Sequence, residues 1–362
     1  MSASTDYRML PYIFEDAGAL DRTLKASAAE IADVVSQATS RGCKRVILSG
    51  VGSSFTAALA ARPAFDNLVA IPTYVLPATE LVLFPNLVNA DALVLLLSRS
   101  GERKFLLDAL ATAESSGALT VAVTGAADSL LAQRADRVVL TAEGPEASFP
   151  KTKSVIAGIG VFIAFALALA GCDADEVGLP LTSSLINEAL ADARPALDAM
   201  AEQLFTCEQV IIAGTAGNFG VAMEMQIKLQ ESALVTAQFM DTGNLFHGPL
   251  CLLNDKWLII LSVTAGDAEV SAETIRLVRA LGAKSLALVP GGVELEHAAD
   301  FTIELPEVPS QFLAPLVSLP VLQLLAYLWA VAKGVNPDAP PGSGVIMSAL
   351  LPDGRVEAEA RL

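Results

Sequence analysis

Three charged residues, Glu224, Lys228 and Glu231, fall at i, i+4 and i+7 of a segment, residues 218–232, whose composition suits a helix, so all three project from one face. On a surface helix such a triplet is an ordinary solvated ion-pair stripe. Here the positions between them include Ala222, Met223, Met225, Ile227 and Leu229, so the helix reads as largely buried, and buried charges need a partner or a task. His247, one of only two histidines, lies in the glycine-flanked loop of residues 241–250. Alone it has the profile of a structural histidine. Beside a partly buried carboxylate it completes the acid and base that moving a proton between adjacent carbons requires. His297 lies in an acid-rich stretch and has no comparable setting.

Two glycine turns could hold the rest of a ligand. In the first, Gly52, Ser53 and Ser54 combine backbone freedom with two hydroxyls at the expected start of a helix, which suits an anion or sugar hydroxyls. An ordinary serine-capped connection from strand to helix has the same composition. The second turn carries more information. Ser98, Arg99, Ser100, Gly101, Glu102, Arg103 and Lys104 place two hydroxyls and three cations after an apolar run, in a chain of 362 residues with a formal charge of −17. Fixed N–H groups beside arginine are good phosphate or sulfonate chemistry.

That overall charge opposes nucleic acid and anionic membranes as partners, and an anionic small molecule needs a local site of this kind. Four scattered cysteines, without a CxxC pair or a zinc-like histidine spacing, read as buried hydrophobes in a reducing compartment, with no metal. The N-terminus lacks the pattern of a secretory signal, so a cytoplasmic protein is expected. Residues 154–171 and 312–334 reach the length of membrane spans, but the second carries Pro315, Pro320 and Gln323 and neither has a flanking basic cluster. Both are expected to be core or interface helices.

The elements that must position these residues follow from an internal repeat. VILSGVGSSF at residues 46–55 answers VIIAGTAGNF at 210–219, a shift of 164, and LVLLLSRSGE at 93–102 answers LIILSVTAGD at 258–267, each run closed by glycine and an acid. ALTVAVTG at 118–125 parallels AKSLALVP at 283–290, RVVLTAE and FTIELPE follow as further strands, and each half ends in one long apolar helix. The spacing predicts strand, glycine turn, helix, strand, glycine turn, helix, strand, short helix, strand and long helix in each half. Such alternation, with strands apolar on both faces, argues an α/β fold of two tandem doubly wound parallel sheets. Ligands in such sheets sit at the carboxyl ends of the strands, where both glycine turns lie. Residues 172–206 hold the polar join and a helix leading into the second half.

These segments resemble the sugar isomerase (SIS) family: the isomerase half of glucosamine-6-phosphate synthase, SIS-type glucosamine-6-phosphate deaminases and fructosamine-6-phosphate deglycases. SGVGSS, SRSGE, GPEASFPKTKS at 144–154, the Glu224/Lys228/Glu231 helix and HGPL at 247–250 carry the likeness, with His247 sixteen residues beyond Glu231. It implies flavodoxin-like SIS domains at about 30–175 and 176–335, with an N-terminal extension over 1–29 and a tail over 336–362. It also implies a sugar cradled by Gly52, Ser53 and Ser54, its anion on Ser98, Arg99, Ser100 and Arg103, and a pocket wall from the backbone of Phe149. Glu231 would move the proton between C1 and C2, His247 would assist ring opening or protonate a leaving group, and Glu224 and Lys228 would orient sugar and base. No cofactor is implied; a homodimer is, because in the family this histidine can come from the neighbouring subunit.

Departures from the family narrow the reaction. Without a glutaminase domain or a Cys at position 2, synthase activity is not expected. Arg99 and Arg103 stand where the family usually has a small polar residue and threonine, which suits tighter phosphate binding or another anion. The tail 340–346 lacks the family's ring-opening lysine, the last lysine being Lys333. The expectation is therefore an aldose–ketose isomerase or fructosamine-6-phosphate deglycase. A glucosamine-6-phosphate deaminase, an isomerase of a 6-sulfo sugar and a non-catalytic sugar-phosphate sensor remain as alternatives.

Overall fold

A computed structural model describes residues 7–349 and Leu351. Its helices are α1 Met9–Phe14, α2 Asp16–Ser40, α3 Ser53–Leu68, α4 Ala78–Leu83, α5 Lys104–Ser115, α6 Leu130–Arg134, α7 Lys153–Ala170, α8 Thr182–Leu204, α9 Gly217–Lys228, α10 Ala268–Ala280, α11 Ala314–Ala332 and α12 Ser343–Ala349. The strands are β1 Arg45–Gly50, β2 Thr73–Pro77, β3 Ala92–Leu97, β4 Leu119–Thr124, β5 Arg137–Leu140, β6 Gln209–Gly214, β7 Thr236–Met240, β8 Trp257–Ser262, β9 Lys284–Pro290 and β10 Phe301–Leu305. They form two five-stranded sheets, ordered β2-β1-β3-β4-β5 and β10-β9-β8-β6-β7, with every pair parallel. Taken from its own second strand, each sheet has the same order, as the repeat requires.

The chain divides into two compact units. The first-half unit holds Gly18–Glu146, Lys153–Glu176 and Pro341–Leu362; the second-half unit holds Met1–Ala17, Ala147–Thr152 and Val177–Pro340. In the first-half unit β3 and β4 are buried along their whole length, as strands covered on both faces must be. One face packs on α4, α5 and α6 through Ile47, Val94, Leu96, Leu106, Leu110 and Leu131, and α3 and α7 lie together on the other. In the second-half unit Ile211, Ile259, Leu261, Ile275 and Val278 join β6 and β8 to α10, while α8 and α9 each pack on α11. Each fully buried Leu or Ile in these layers contributes about 1.5–3 kcal/mol relative to exposure.

Among the described residues, the two helices apolar enough to cross a membrane are core elements, α7 being mostly buried and the helix over Gln311–Ala332 almost entirely so. Three expectations need correcting: Cys172 and Cys251 are exposed and Cys43 partly so, leaving only Cys207 buried; no helix joins β9 to β10, where Gly291 and Gly292 open a turn instead; and the strand count is too low. Each half contains a strand the repeat did not reveal, β2 in the first and β7 in the second, both at a sheet edge. Their residues are mostly half-exposed or alternate in burial, so they lack the apolar run that marks the central strands. The switch in strand order falls between β1 and β3, and between β6 and β8, which brings the two glycine turns of each half side by side at the carboxyl edge.

Candidate functional site

In the second-half unit, β6 ends at Gly214, and a Cβ there would stand 2.5 Å from the Asn218 carbonyl oxygen, so strand and helix meet only because the residue is glycine. Asn218 fixes the start of α9: its side-chain amide donates to the Ser262 carbonyl at 3.2 Å, and Ser318 Oγ donates to its Oδ1 at 3.4 Å. Nearly three turns further on, Lys228 is fully buried between Glu224, at 3.3 Å, and Glu231, at 2.7 Å. Burial alone would depress the lysine, but the two carboxylates outweigh it and hold the ammonium well above its ordinary value. The two acids differ in setting. Glu224 is 1% exposed and Glu231 28%, so Glu231 is the carboxylate a ligand can reach.

Glu231 does not stand on regular α-helix. After Lys228 the chain makes a π turn, Leu229–Ala233, which ends at Leu234 in a left-handed conformation with φ 51°. The turn leaves α-helical bonding incomplete, and Ser232 compensates by donating its hydroxyl to the Lys228 carbonyl at 2.6 Å. Gln226 accepts from the Phe239 N–H at 3.0 Å and Gln230 donates to the Ala237 carbonyl at 3.1 Å, tying both helix segments to β7.

His247 follows a 3₁₀ turn, Thr242–Phe246, whose N-cap Asp241 accepts from the N–H groups of Gly243 and Asn244. Leu245 anchors the turn in the core and the His247 N–H donates to the Asn244 carbonyl at 3.1 Å, while its imidazole is exposed. A cavity of about 370 Å³ opens at the ends of β9 and β10, lined by residues 289–293, Thr302 and Glu304 among others; none of the expected site residues lines it. Phe149 belongs to this unit, and its N–H is engaged by the Asp338 carbonyl at 2.8 Å, so that group is not free for a ligand.

In the first-half unit, Gly52 takes φ 56° and ψ −128°, a conformation that favours glycine, directly before α3. No side chain caps α3, and the Ser53 and Ser54 hydroxyls, partly exposed, have no hydrogen-bond partner among the described residues. The adjacent turn is more ordered. Ser98 Oγ accepts from the Gly101 N–H at 3.0 Å, Ser100 Oγ from the Glu102 N–H at 3.4 Å, and Glu102 reaches the Leu130 N–H at 2.9 Å. Gly101 has φ 65°, and a Cβ on it would lie 2.1 Å from Ser129 Oγ. Here too the following helix, α5, begins without a side-chain cap, leaving first-turn N–H groups for an anion.

The three cations of this turn have separate fates. Lys104 pairs with Asp108 on its own helix at 2.7 Å, and Arg103 donates to Met347 Sδ of α12 at 3.3 Å. Arg99 Nε lies 3.7 Å from Glu143 and 3.9 Å from Glu146, both nearly inaccessible. Nothing in the sequence signals that these two acids pair with Arg99, although Glu146 lies in the GPEASFP segment. Glu146 is itself fixed by the Lys153 N–H and the Ser154 hydroxyl. The positive charge of the turn is thus partly offset within the protein. Among the described residues no group of three or more His, Cys, Asp or Glu side chains could hold a metal ion.

Comparison with known proteins bears on the family and the fold. The SIS domain profile matches residues 41–168 and 203–333. Glutamine–fructose-6-phosphate aminotransferase (isomerizing) from Pyrococcus horikoshii is 29% identical over 342 residues, covering 92% of this chain and 56% of that protein. The Symbiobacterium thermophilum counterpart is 31% identical over 84% of the chain and 52% of its own length. The chain therefore spans about half the length of these curated relatives. Among solved structures, the C-terminal domain of glucosamine-fructose-6-phosphate aminotransferase from Francisella tularensis superposes with a TM-score of 0.83 at 24% identity, covering 93% of this chain and all of that one. Tagatose-6-phosphate ketose/aldose isomerase from Escherichia coli gives 0.75 at 21%, covering 93% and 96%. With two matched regions filling most of its length and the paired sheets they call for, the chain belongs to the SIS domain family.

Proposed function

We propose that this protein is an enzyme that transfers a proton between C1 and C2 of a 6-phospho sugar or sugar-amine conjugate, as an aldose–ketose isomerase or a fructosamine-6-phosphate deglycase. The observation that carries this reading is the Glu224/Lys228/Glu231 arrangement: a fully buried ammonium holds one inaccessible carboxylate and one accessible carboxylate in a fixed relation. An accessible carboxylate clamped by a buried cation is preorganised to take a proton from one carbon and return it to its neighbour. The names of the relatives, which include a ketose/aldose isomerase and isomerising aminotransferases, support the same class.

In this reaction Glu231 removes the proton from the carbon beside the carbonyl or imine, generating an enediol or enaminol, and redelivers it to the adjacent carbon. His247 gives a proton to the ring oxygen or departing amine. In the deglycase direction the C–N bond breaks, water supplies the oxygen, and the amine leaves protonated. Ser53, Ser54, Ser98, Ser100, Arg103 and the N-terminal N–H groups of α3 and α5 hold hydroxyls and phosphate. Because Arg99 already faces two acids, it contributes less to the anion than its sequence position suggests. A homodimer, in which the exposed His247 serves a second copy, belongs to the same proposal.

The test is a panel of hexose 6-phosphates, aminosugar 6-phosphates, fructosamine 6-phosphates and a 6-sulfo hexose incubated in deuterated water. Conversion of one member with deuterium entering at C1 or C2, abolished by Glu231→Gln, is the expected result. Tight binding of panel members without conversion or exchange would instead mark a sensor.

A further inference from the structure

The carboxylate of Asp267 does more than begin α10. It is 6% exposed and accepts four hydrogen bonds. Oδ1 takes the Thr264 N–H at 2.7 Å and the Thr264 hydroxyl at 2.8 Å, which closes the turn Ala265–Asp267 on itself. That local turn accounts for Oδ1 alone. Oδ2 reaches away from it, to the Thr215 hydroxyl at 2.7 Å in the glycine turn after β6 and to the Thr242 hydroxyl at 3.3 Å. Thr242, itself 1% exposed, is the first residue of the 3₁₀ turn that delivers His247.

We propose that Asp267 is a positioning residue for His247: one buried carboxylate ties the turn carrying the histidine to the ends of β6 and β8. The role rests on the reading of His247 as a proton donor, but the physical link stands apart from it. The turn has three restraints. Leu245 fills a hole in the core and resists lifting, Asp241 organises the backbone locally, and the Thr242–Asp267 bond fixes where the N-terminal end of the turn begins. Leu245 packs among Ile211, Ile259 and Leu261 of β6 and β8, and the Thr242–Asp267 bond adds a directional polar link from the turn to the connections that carry Thr215 and Thr264. A short turn pinned at its start and packed through its middle leaves its C-terminal neighbour little freedom, which is what an imidazole working at fixed distance needs.

Thr242→Val removes that hydroxyl with little change of volume and leaves the Thr264 and Thr215 bonds in place; Thr242→Ser restores a donor. Because the chain has only two histidines, the imidazole signals can be assigned in the ligand-free protein with a His297→Gln variant, and His297 serves as the internal control. In Thr242→Val the His247 resonance is expected to shift and amide exchange over residues 243–247 to quicken about tenfold, the effect of one buried hydrogen bond. Thr242→Ser and the His297 signal should stay as in the unmodified protein. On the panel member that the unmodified chain converts, kcat should fall about tenfold with KM little changed.

An unmoved His247 signal and unchanged exchange in Thr242→Val would overturn the proposal whatever the reaction proves to be. So would a loosened turn with full kcat in a protein that His247→Gln inactivates. If His247→Gln itself leaves turnover intact, the reading of the histidine fails, while the altered exchange still upholds the tie between Asp267 and the turn.

Discussion

The two halves share a backbone and differ in what their second glycine turns do with their own polar groups. At the 165-residue shift Glu102 corresponds to Asp267. Glu102 extends forward to the start of α6, and the turn's serine oxygens accept from its own N–H groups. The shorter Asp267 folds inward and gathers three threonine hydroxyls around itself. The first turn thereby stands before a helix without a side-chain cap, while in the second a built-in carboxylate takes the donors that a ligand anion would use. One methylene separates the two acids. The proposed function would use this difference, with anion recognition in the first copy and proton transfer in the second.

If that division is right, Glu231→Gln should have the largest effect, lowering kcat by about 10²–10⁴ while KM stays near its original value; a comparable rise in KM would break the division. Lys228→Met leaves Glu224 buried without its cation and should cost about 3–5 kcal/mol in denaturant unfolding. The pH dependence carries the same sign. Since Lys228 is raised above its unfolded value, its stabilisation is complete below the ordinary lysine pKa of about 10.4 and is lost only as pH climbs through the higher folded value. A melting curve taken from neutral to strongly alkaline pH should lose that alkaline fall in the Met variant.

Gly101→Ala and Gly266→Ala compare the two turns directly. The first places a Cβ 2.1 Å from Ser129 Oγ at φ 65° and should lose about 1–3 kcal/mol together with phosphate binding. The second meets nothing nearer than Thr264 Oγ1 at 3.8 Å and should stay within about 0.5 kcal/mol. Equal losses would mean the turns are not differently built. The smallest effect concerns the first turns of each half. Ala216 holds φ 49° and ψ −123°, nearly the conformation of Gly52, with a side chain that disfavours it. Ala216→Gly should gain about 1 kcal/mol in thermal melts.

Much of this was legible in the chain itself, for identifiable reasons. The central strands announce themselves by apolar runs, and Glu224, Lys228 and Glu231 announce a shared face by helical spacing. The edge strands β2 and β7 stayed hidden because half-exposed strands carry neither a run nor a clean alternation. Arg99 gave a clear cationic signal but no hint of its partners, since Glu143 and Glu146 arrive from beyond β5, two strands further across the sheet. Asp267 posed the same difficulty. Its donors come from three separate connections, and only folding brings residues 215, 242 and 264 to one carboxylate. Local spacing reports a face of one element, whereas sites gathered from several strand ends have no period to detect.

The π turn at Leu229–Ala233 makes the length of this segment as consequential as its composition. Each residue advances a helix by about 100°. Deleting a single residue such as Gln230 could let the turn relax into ordinary helix, with every side chain chemically intact, yet Glu231 would rotate away from Lys228. A relative one residue shorter here would keep its acid, its lysine and its histidine in sequence and still lack the working pair.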